Sequence, residues 1–110
     1  MKKCKKISER VAEKLLWRKK DGRWIETDNS DSGYSIEEWK PQYSLDQCHV
    51  FERRLLIKGD KHAILYIKCL ANVMRIHEDN TIYLVAANPL SRCEAFLEYC
   101  GEIKHFDYEI

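Results

Sequence analysis

The fold of this chain is decided by Thr81–Gly101, which reads TIYLVAANPLSRCEAFLEYCG. The first seven residues are mostly apolar and partly β-branched, which favours a β-strand over 81–87. Asn88 then supplies an N-cap, and Pro89 occupies the first helical position, where a missing N–H costs nothing. Apolar residues recur every three or four positions up to the closing glycine: Leu90, Cys93, Leu97 and Cys100. A strand that turns directly into a helix predicts α/β layering in this half of the chain.

Two more helices are predicted upstream. Apolar residues at i, i+4 and i+8 indicate an amphipathic helix over residues 5–17. The four residues from Ser44 to Gln47 have the form of a capping box, and Gly59 is a standard residue just past a helix end. A second helix is therefore predicted over 44–59.

The hydrophobic period changes after this second helix. Residues 62–69 and 72–77 are dense in Ile, Leu, Val, Met and Tyr, and we interpret them as two strands. The second strand forms a hairpin with 81–87 through a turn at Glu78–Asn80. The prediction is one domain over 1–110, of the α/β (α+β) class. It is an α-β-α layered sandwich of three helices on a small, mainly antiparallel sheet, in the order α-α-β-β-β-α.

A long irregular segment, residues 18–43, follows the first helix in this prediction. Residues 18–22 are interpreted as a turn, 23–26 could be a short strand and 34–39 a helical turn. Residues 28–33 form a loop by composition, because they are Asp, Asn, Ser and Gly. Five of the chain's twelve aromatic residues lie in or beside the segment: Trp17, Trp24, Tyr34, Trp39 and Tyr43. Rings next to lysine and arginine can stack a planar base while the cations meet its phosphates. The alternative is an aromatic cluster that pins the segment to the rest of the domain.

Composition restricts the class of protein. The chain has 110 residues, 45% hydrophobic and 34% charged, with a net charge of +1. Its basic clusters at Lys2–Lys6, Arg18–Lys20 and Arg53–Arg54 are interspersed with acidic residues, which argues against nucleic acid as a partner. No apolar run approaches the roughly 20 residues of a membrane span, and charges follow the N-terminal lysines too closely for a signal peptide. We expect a cytoplasmic protein of a bacterial cell without a membrane partner.

Cysteine and histidine spacing predicts neither a metal site nor a catalytic one. The five cysteines are an odd number, and none forms a Cys-x-x-Cys pair. Cys48 and His49 are adjacent on a predicted helix, so their side chains point about 100° apart and cannot act together. No phosphate loop, nucleophile elbow or paired-carboxylate motif occurs. We expect reduced thiols, no metal, no cofactor and no enzymatic activity.

Three stretches carry a resemblance to a known family. They are Val11–Trp17 (VAEKLLW), Trp39–Asp46 (WKPQYSLD) and Tyr83–Leu97 (YLVAANPLSRCEAFL). Together they resemble the phage ABA sandwich domain, a family of small bacteriophage and prophage proteins. The resemblance covers most of residues 7–101 and implies the layered fold and a phage setting, without implying catalytic residues. The glycine that commonly precedes the family's tryptophan is absent here, because Leu16 stands directly before Trp17.

The best candidate site is the turn from the last strand into the last helix. A helix N-terminus attracts anions, so Asn88, Ser91 and Arg92 are predicted to hold a phosphate or carboxylate. Trp24 or Trp39 is predicted to stack a base, supported by Arg53 and Arg54. The simpler alternative is that the asparagine only caps the helix and the arginine pairs with a nearby glutamate.

Two functions are open at this point. The first is a non-catalytic binding module that sequesters a nucleotide-like host ligand, with a phosphate-bearing small molecule as its partner. The second is a protein–protein interaction or regulatory protein that binds a host protein through a sheet edge or a helix face. Self-association as a homo-oligomer suits either function.

Overall fold

The computed structural model describes residues 6–76 and 81–101. The helices are α1 (Ile7–Lys14), α2 (Leu45–Lys58), α3 (Asp60–Met74), α4 (Thr81–Val85) and α5 (Pro89–Tyr99). The strands are β1 (Arg18–Lys20), β2 (Arg23–Ile25) and β3 (Asp31–Ser35), and a 3-10 turn covers Pro41–Tyr43. The predicted turn at 78–80, the lysines at 2–5 and the tail at 102–110 lie outside the described residues.

The three strands form one antiparallel sheet with β2 in the centre. Asp21 and Gly22 join β1 to β2 with φ angles of 52° and 76°, and Lys20 pairs with Arg23 across them. Positive φ at both turn residues belongs to a type I′ turn, whose twist matches that of a two-stranded hairpin. The α+β class and the small antiparallel sheet are confirmed, and the layered arrangement is compatible with this set of elements.

The predicted order of elements is wrong. All three described strands lie within the segment 18–43 that was predicted to be irregular, while 62–77 and 81–87 were predicted to be strands. The described parts of those two stretches contain α3 and α4 instead. The chain therefore runs α-β-β-β-α-α-α-α rather than α-α-β-β-β-α, and it has more helices than the three predicted.

Helix α3 was mistaken for strands because it is apolar on two faces. Tyr66, Leu70 and Ala71 are buried, at the spacing of a helix. His62 and Cys69 lie on a face toward α5, where the imidazole Nδ1 of His62 is 2.7 Å from the hydroxyl of Tyr99. Ile64, Leu65 and Ile67 add apolar side chains on the exposed side, at 54%, 48% and 41% exposure, so the helix lacks the polar stripe that would identify its period.

Gly59 alone separates α2 from α3. Its N–H donates to the carbonyls of Leu55 and Leu56, and its own carbonyl accepts from His62 and Ala63. Its backbone angles, φ 124° and ψ 167°, lie in a region that is essentially restricted to glycine. The predicted end of the second helix at this glycine is confirmed, and the two long helices meet there as a hairpin.

Helix α5 lies at the centre of the helical part and packs against α1, α2, α3 and the 3-10 turn. Phe96 stacks on Phe51 of α2, with ring centroids 4.5 Å apart and planes at 20°. The predicted start of the helix is confirmed, because the side chain of Asn88 accepts a hydrogen bond from the Ser91 N–H at 2.8 Å. Helix α5 thus contributes to the core contacts of each of these elements.

Trp39 connects the sheet region to the helices. Its ring is fully buried, 4.7 Å from the ring of Trp17 and 5.0 Å from that of Tyr34, measured between centroids. Its indole N–H donates to the backbone carbonyl of Ser8 in α1 at 3.0 Å. These three rings therefore form an aromatic cluster that pins the segment to the rest of the domain, which is the second of the two interpretations given for the aromatic residues.

Leu16 ends α1 in a left-handed conformation. Its φ is 65°, and the N–H of Trp17 reaches back to the carbonyl of Ala12 at 3.0 Å. Helices commonly end with a glycine in this conformation, because a Cβ atom is disfavoured there. Leu16 therefore occupies a position at which the backbone conformation favours glycine.

Replacing Leu16 by Gly should raise the free energy of unfolding by about 1 kcal/mol, since the exposed side chain gives up little packing while the backbone strain is relieved. Urea denaturation measures the change. Leu65→Gly, in the interior of α3, is the matched control and should lower the stability by about 1 kcal/mol. A loss of stability in both variants would contradict the strain at Leu16.

Candidate functional site

A groove of about 770 Å³ runs between α2 and α3. Helix α2 lines it from Asp46 to Leu56, and α3 lines it from Ala63 to Leu70. Helix α4, Arg92 of α5 and Tyr34 of β3 complete its wall. The groove therefore follows from the helix hairpin, which sets two long helices side by side, and from the short helix that packs against α3.

Large apolar side chains lie exposed along this groove. Leu56 of α2 is 67% exposed, Ile67 of α3 is 41% exposed and Val85 of α4 is 77% exposed. Leu70 and Leu84 lie beneath them and are buried. Three helices thus present apolar groups to solvent at one place, which the hydrophobic effect disfavours unless something else covers them.

The carboxylate of Glu52 organises the polar side of the groove. Its Oε2 accepts hydrogen bonds from the Tyr66 hydroxyl at 2.7 Å and from Arg92 Nη1 at 2.8 Å, and its Oε1 lies 2.9 Å from His49 Nδ1. The side chains of Arg92 and Glu52 are only 12% and 15% exposed. Burial, followed by the negative charge of Glu52, raises the pKa of Tyr66, so its hydroxyl stays a proton donor.

Arg92 has further partners in the backbone before α5. Its Nε donates to the carbonyl of Ala87 at 2.8 Å, and its Nη2 donates to the carbonyl of Val85 at 2.7 Å. The guanidinium therefore holds the C-terminal end of α4 in place. Because Glu52 supplies a matching charge, the cation is neutralised within the protein.

At the predicted phosphate site, the groups that were expected to bind an anion already have partners within the protein. Asn88 uses its side-chain oxygen to cap α5 on the Ser91 N–H, and Arg92 is held by Glu52 and two carbonyls. This matches the simpler alternative stated for these residues. The structure thus places Arg92 in the wall of the groove, with its charge already paired.

The other predicted site residues divide between two places. Arg53 lies exposed on the groove, while Arg54 donates to the carbonyl of Leu15 at 2.8 Å and pairs with Glu26. Trp24 and Trp39 are buried and line a second, smaller pocket instead. The structure therefore brings Arg53 and Arg92 together in one site and the two tryptophans together in another.

Sequence reasoning missed His49, Glu52 and Tyr66. His49 and Glu52 stand three residues apart on a predicted helix, so they share one face, and this spacing was visible in the sequence. Tyr66 could not be placed, because its segment was predicted to be a strand. The partner of His49 is therefore Glu52 and not its chain neighbour Cys48.

Within residues 6–76 and 81–101, no group of three or more His, Cys, Asp or Glu side chains is placed to hold a metal ion. Across the same ranges, no helix combines the length and the hydropathy needed to cross a bilayer. No protein-family model, no curated protein and no solved structure matches the chain.

The largely buried pair of Glu52 and Arg92 should depend on both partners. Glu52→Gln should lower the free energy of unfolding by about 2–3 kcal/mol, because it leaves the largely buried Arg92 charge without a counter-ion. A double-mutant cycle with Arg92→Gln should give a coupling energy of about 1–3 kcal/mol by urea denaturation. Glu26→Gln, which breaks the more exposed pair with Arg54, is the control and should cost less than about 1 kcal/mol. A coupling near zero would show that the Glu52–Arg92 pair does not hold the groove together.

The cysteines should differ in reactivity. Cys48 and Cys93 are fully buried, and burial together with the contact to Cys48 raises the pKa of the Cys93 thiol well above its usual value. Because thiolate is the reactive form, iodoacetamide should label half-buried Cys69 in the native protein well before these two. Mass spectrometry of the peptides at timed intervals measures the order. Equal labelling rates for Cys69 and Cys93 would contradict the packing of α2 against α5.

Proposed function

We propose that this chain is a non-catalytic binding module whose groove binds an amphipathic helix of a partner protein. The observation that carries the proposal is the convergence of exposed Leu56, Ile67 and Val85, from three helices, on one groove. A bound apolar helix face would remove these side chains from water, at about 25 cal/mol for each Å² of apolar surface buried.

The dimensions of the groove suit a helix of two to three turns. From Asp46 to Leu56 the wall formed by α2 rises through ten residues, about 15 Å at the rise of an α-helix. A helix that binds in a groove uses anchors at i, i+3 or i+4, and i+7, which span about 10 Å. Two or three anchors therefore fit along the wall.

A positive charge lies beside the apolar contacts of the groove. Arg53 stands one turn before Leu56 on α2, and both residues line the groove. Arg53 is exposed, so it can pair with an acidic residue of the partner. We infer a partner helix with an apolar stripe and a Glu or Asp at the position that meets Arg53.

The nucleotide-like ligand predicted from the sequence has less support in this geometry. Arg92 is already paired with Glu52, and Trp24 and Trp39 lie buried outside the groove. A nucleotide-binding role stays a prediction, as do the phage or prophage setting, the cytoplasmic location and self-association. Among the two functions, the interaction through a helix face is the one that the exposed apolar side chains favour.

The test is selection of binding peptides from a random 14-residue display library against the intact protein. Selected sequences should show apolar residues at i, i+4 and i+7 and should become helical on binding, as circular dichroism measures. Ile67→Glu and Val85→Glu should each weaken a selected peptide at least about tenfold, because each places a charge in the apolar contact. Ile57→Glu is the matched control, since Ile57 is exposed on α2 outside the groove.

Selected peptides that lack helical periodicity, or that bind Ile67→Glu as well as the wild type, would refute the helix-binding groove. Native mass spectrometry of the gently purified protein separates the other outcomes. A co-purifying mass of several hundred daltons would favour the nucleotide-like ligand, and a dimer lost in Val85→Glu would identify the occupant as a second copy of the chain.

A further inference from the structure

The solvent side of helix α3 carries lysines and large apolar residues in one stripe. Lys61, Ile64, Leu65 and Lys68 recur at i, i+3, i+4 and i+7, so their side chains share a face of the helix. All four are exposed, with Ile64 at 54% and Leu65 at 48%. None of the four lines the groove or the second pocket. The stripe is therefore a surface of its own, with two apolar residues between two cations.

The last residues of α2 add the same chemistry at the hairpin turn, where the stripe begins. Ile57 is 85% exposed, and the exposed Lys58 follows it directly. Gly59 alone separates this pair from α3, so both residues stand within four positions of Lys61. The turn of the hairpin thus presents a further apolar side chain and a further cation beside the stripe.

Positive charge is concentrated in this part of the chain. Residues 53–75 contain six lysines and arginines and one acidic residue, Asp60, while the rest of the chain has 13 basic and 17 acidic residues. The three lysines of the stripe and the turn form no ion pair with another described residue. Glu98 of α5 contacts α3 one turn past the stripe, where it accepts from Asn72 Nδ2 at 2.9 Å. The charges of the stripe are therefore available to an anionic partner.

We propose that the stripe binds the surface of an anionic lipid bilayer, with α3 lying in the plane of the headgroups. Ile64 and Leu65 enter the boundary between headgroups and acyl chains, while the lysines on either side hold their ammonium groups at the lipid phosphates. The expectation of no membrane partner rested on the length of a span, and a helix that lies in the interface needs no such length. The proposal is independent of the helix-binding groove.

Three other occupants fit this surface less well. A second copy related by a two-fold axis would set the lysines of one stripe opposite those of the other, and like charges across an interface are unfavourable. Nucleic acid offers phosphates to the lysines but no apolar contact along its backbone to Ile64 and Leu65. A protein partner would have to accommodate lysines, which are depleted in protein interfaces. Lipids adapt to a surface that alternates cations with apolar groups, so they match it without a preformed pocket.

The experiment is co-sedimentation of the full chain with vesicles of equal parts phosphatidylglycerol and phosphatidylcholine, compared with vesicles of phosphatidylcholine alone. The protein should bind the anionic vesicles at least about tenfold more tightly, because several lysines act together at an anionic surface. Raising the salt concentration should weaken this binding, because ions screen exposed charges.

Two double variants separate the contributions of charge and apolar contact. Lys61→Gln combined with Lys68→Gln should weaken binding to the anionic vesicles at least about tenfold, because it removes both cations of the stripe. Ile64→Gln combined with Leu65→Gln should also weaken it at least about tenfold, because no apolar group then enters the bilayer. All four residues are exposed, so the melting temperature of each double variant should stay close to that of the wild type.

Matched controls lie outside α3. Lys19→Gln combined with Lys20→Gln removes the same charge from the exposed strand β1, and Leu16→Gly removes an exposed apolar side chain. Both controls should bind the anionic vesicles within about twofold of the wild type, because neither touches the stripe.

No binding to the anionic vesicles, or equal binding to both kinds of vesicle, would overturn the proposal. An equal loss of binding in the β1 control and in the α3 lysine variant would overturn it as well, since net charge would then account for the attraction. Unchanged binding of Ile64→Gln with Leu65→Gln would refute the position of α3 in the interface. A dimer in native mass spectra that this variant loses would assign the stripe to a second copy of the chain.

Discussion

A largely buried carboxylate on α2 holds the helical part of this protein in one arrangement. Glu52 accepts from Tyr66 of α3 and from Arg92 of α5, and Arg92 continues to the carbonyls at the end of α4. Burying an ion pair is unfavourable unless further hydrogen bonds satisfy both partners, and here each partner has them. Four helices are therefore connected through one charged pair, which lies in the wall of the groove rather than in the deepest core.

This network explains why the groove can be lined by apolar side chains and still have a defined shape. Exposed leucine, isoleucine and valine side chains give no directional contacts, so they cannot by themselves fix the distance between helices. The hydrogen bonds around Glu52 supply that direction, and the stacked rings of Phe51 and Phe96 supply the packing behind it. The second pocket is built differently, from the aromatic segment after β1, and it depends on Trp39 and its bond to α1.

The sequence allowed part of this structure to be predicted. The helices at 44–59 and 88–101 were found because their caps and glycine ends are local signals, and both caps are seen at Ser44 and Asn88. The turn at Asp21 and Gly22 and a possible short strand after it were predicted, but β1 was not, because its three residues were included in the turn. Helix α3 was missed because apolar residues on its exposed side hide the amphipathic period in its sequence.

The residues of the candidate site were likewise predictable only in part. Arg53 and Arg92 could be named from local charge and helix position, and they do share the groove. Their partners could not be derived, since the contact between Glu52 and Arg92 joins residues forty positions apart. The shared position of Trp24 and Gln42 in the lining of the second pocket likewise follows from contacts between distant parts of the chain.

The angle between α2 and α3, which form two walls of the groove, depends on a single residue, Gly59. Among the described residues, no neighbouring atom lies within 4 Å of the position that a Cβ atom would take there, so a side chain is disfavoured by the backbone conformation and not by lack of room. Among descendants of this sequence the glycine would therefore persist while the exposed positions beside it varied. A survey of conservation would single it out as a functional residue, although it touches no ligand and its whole contribution is the shape of the surface that others use.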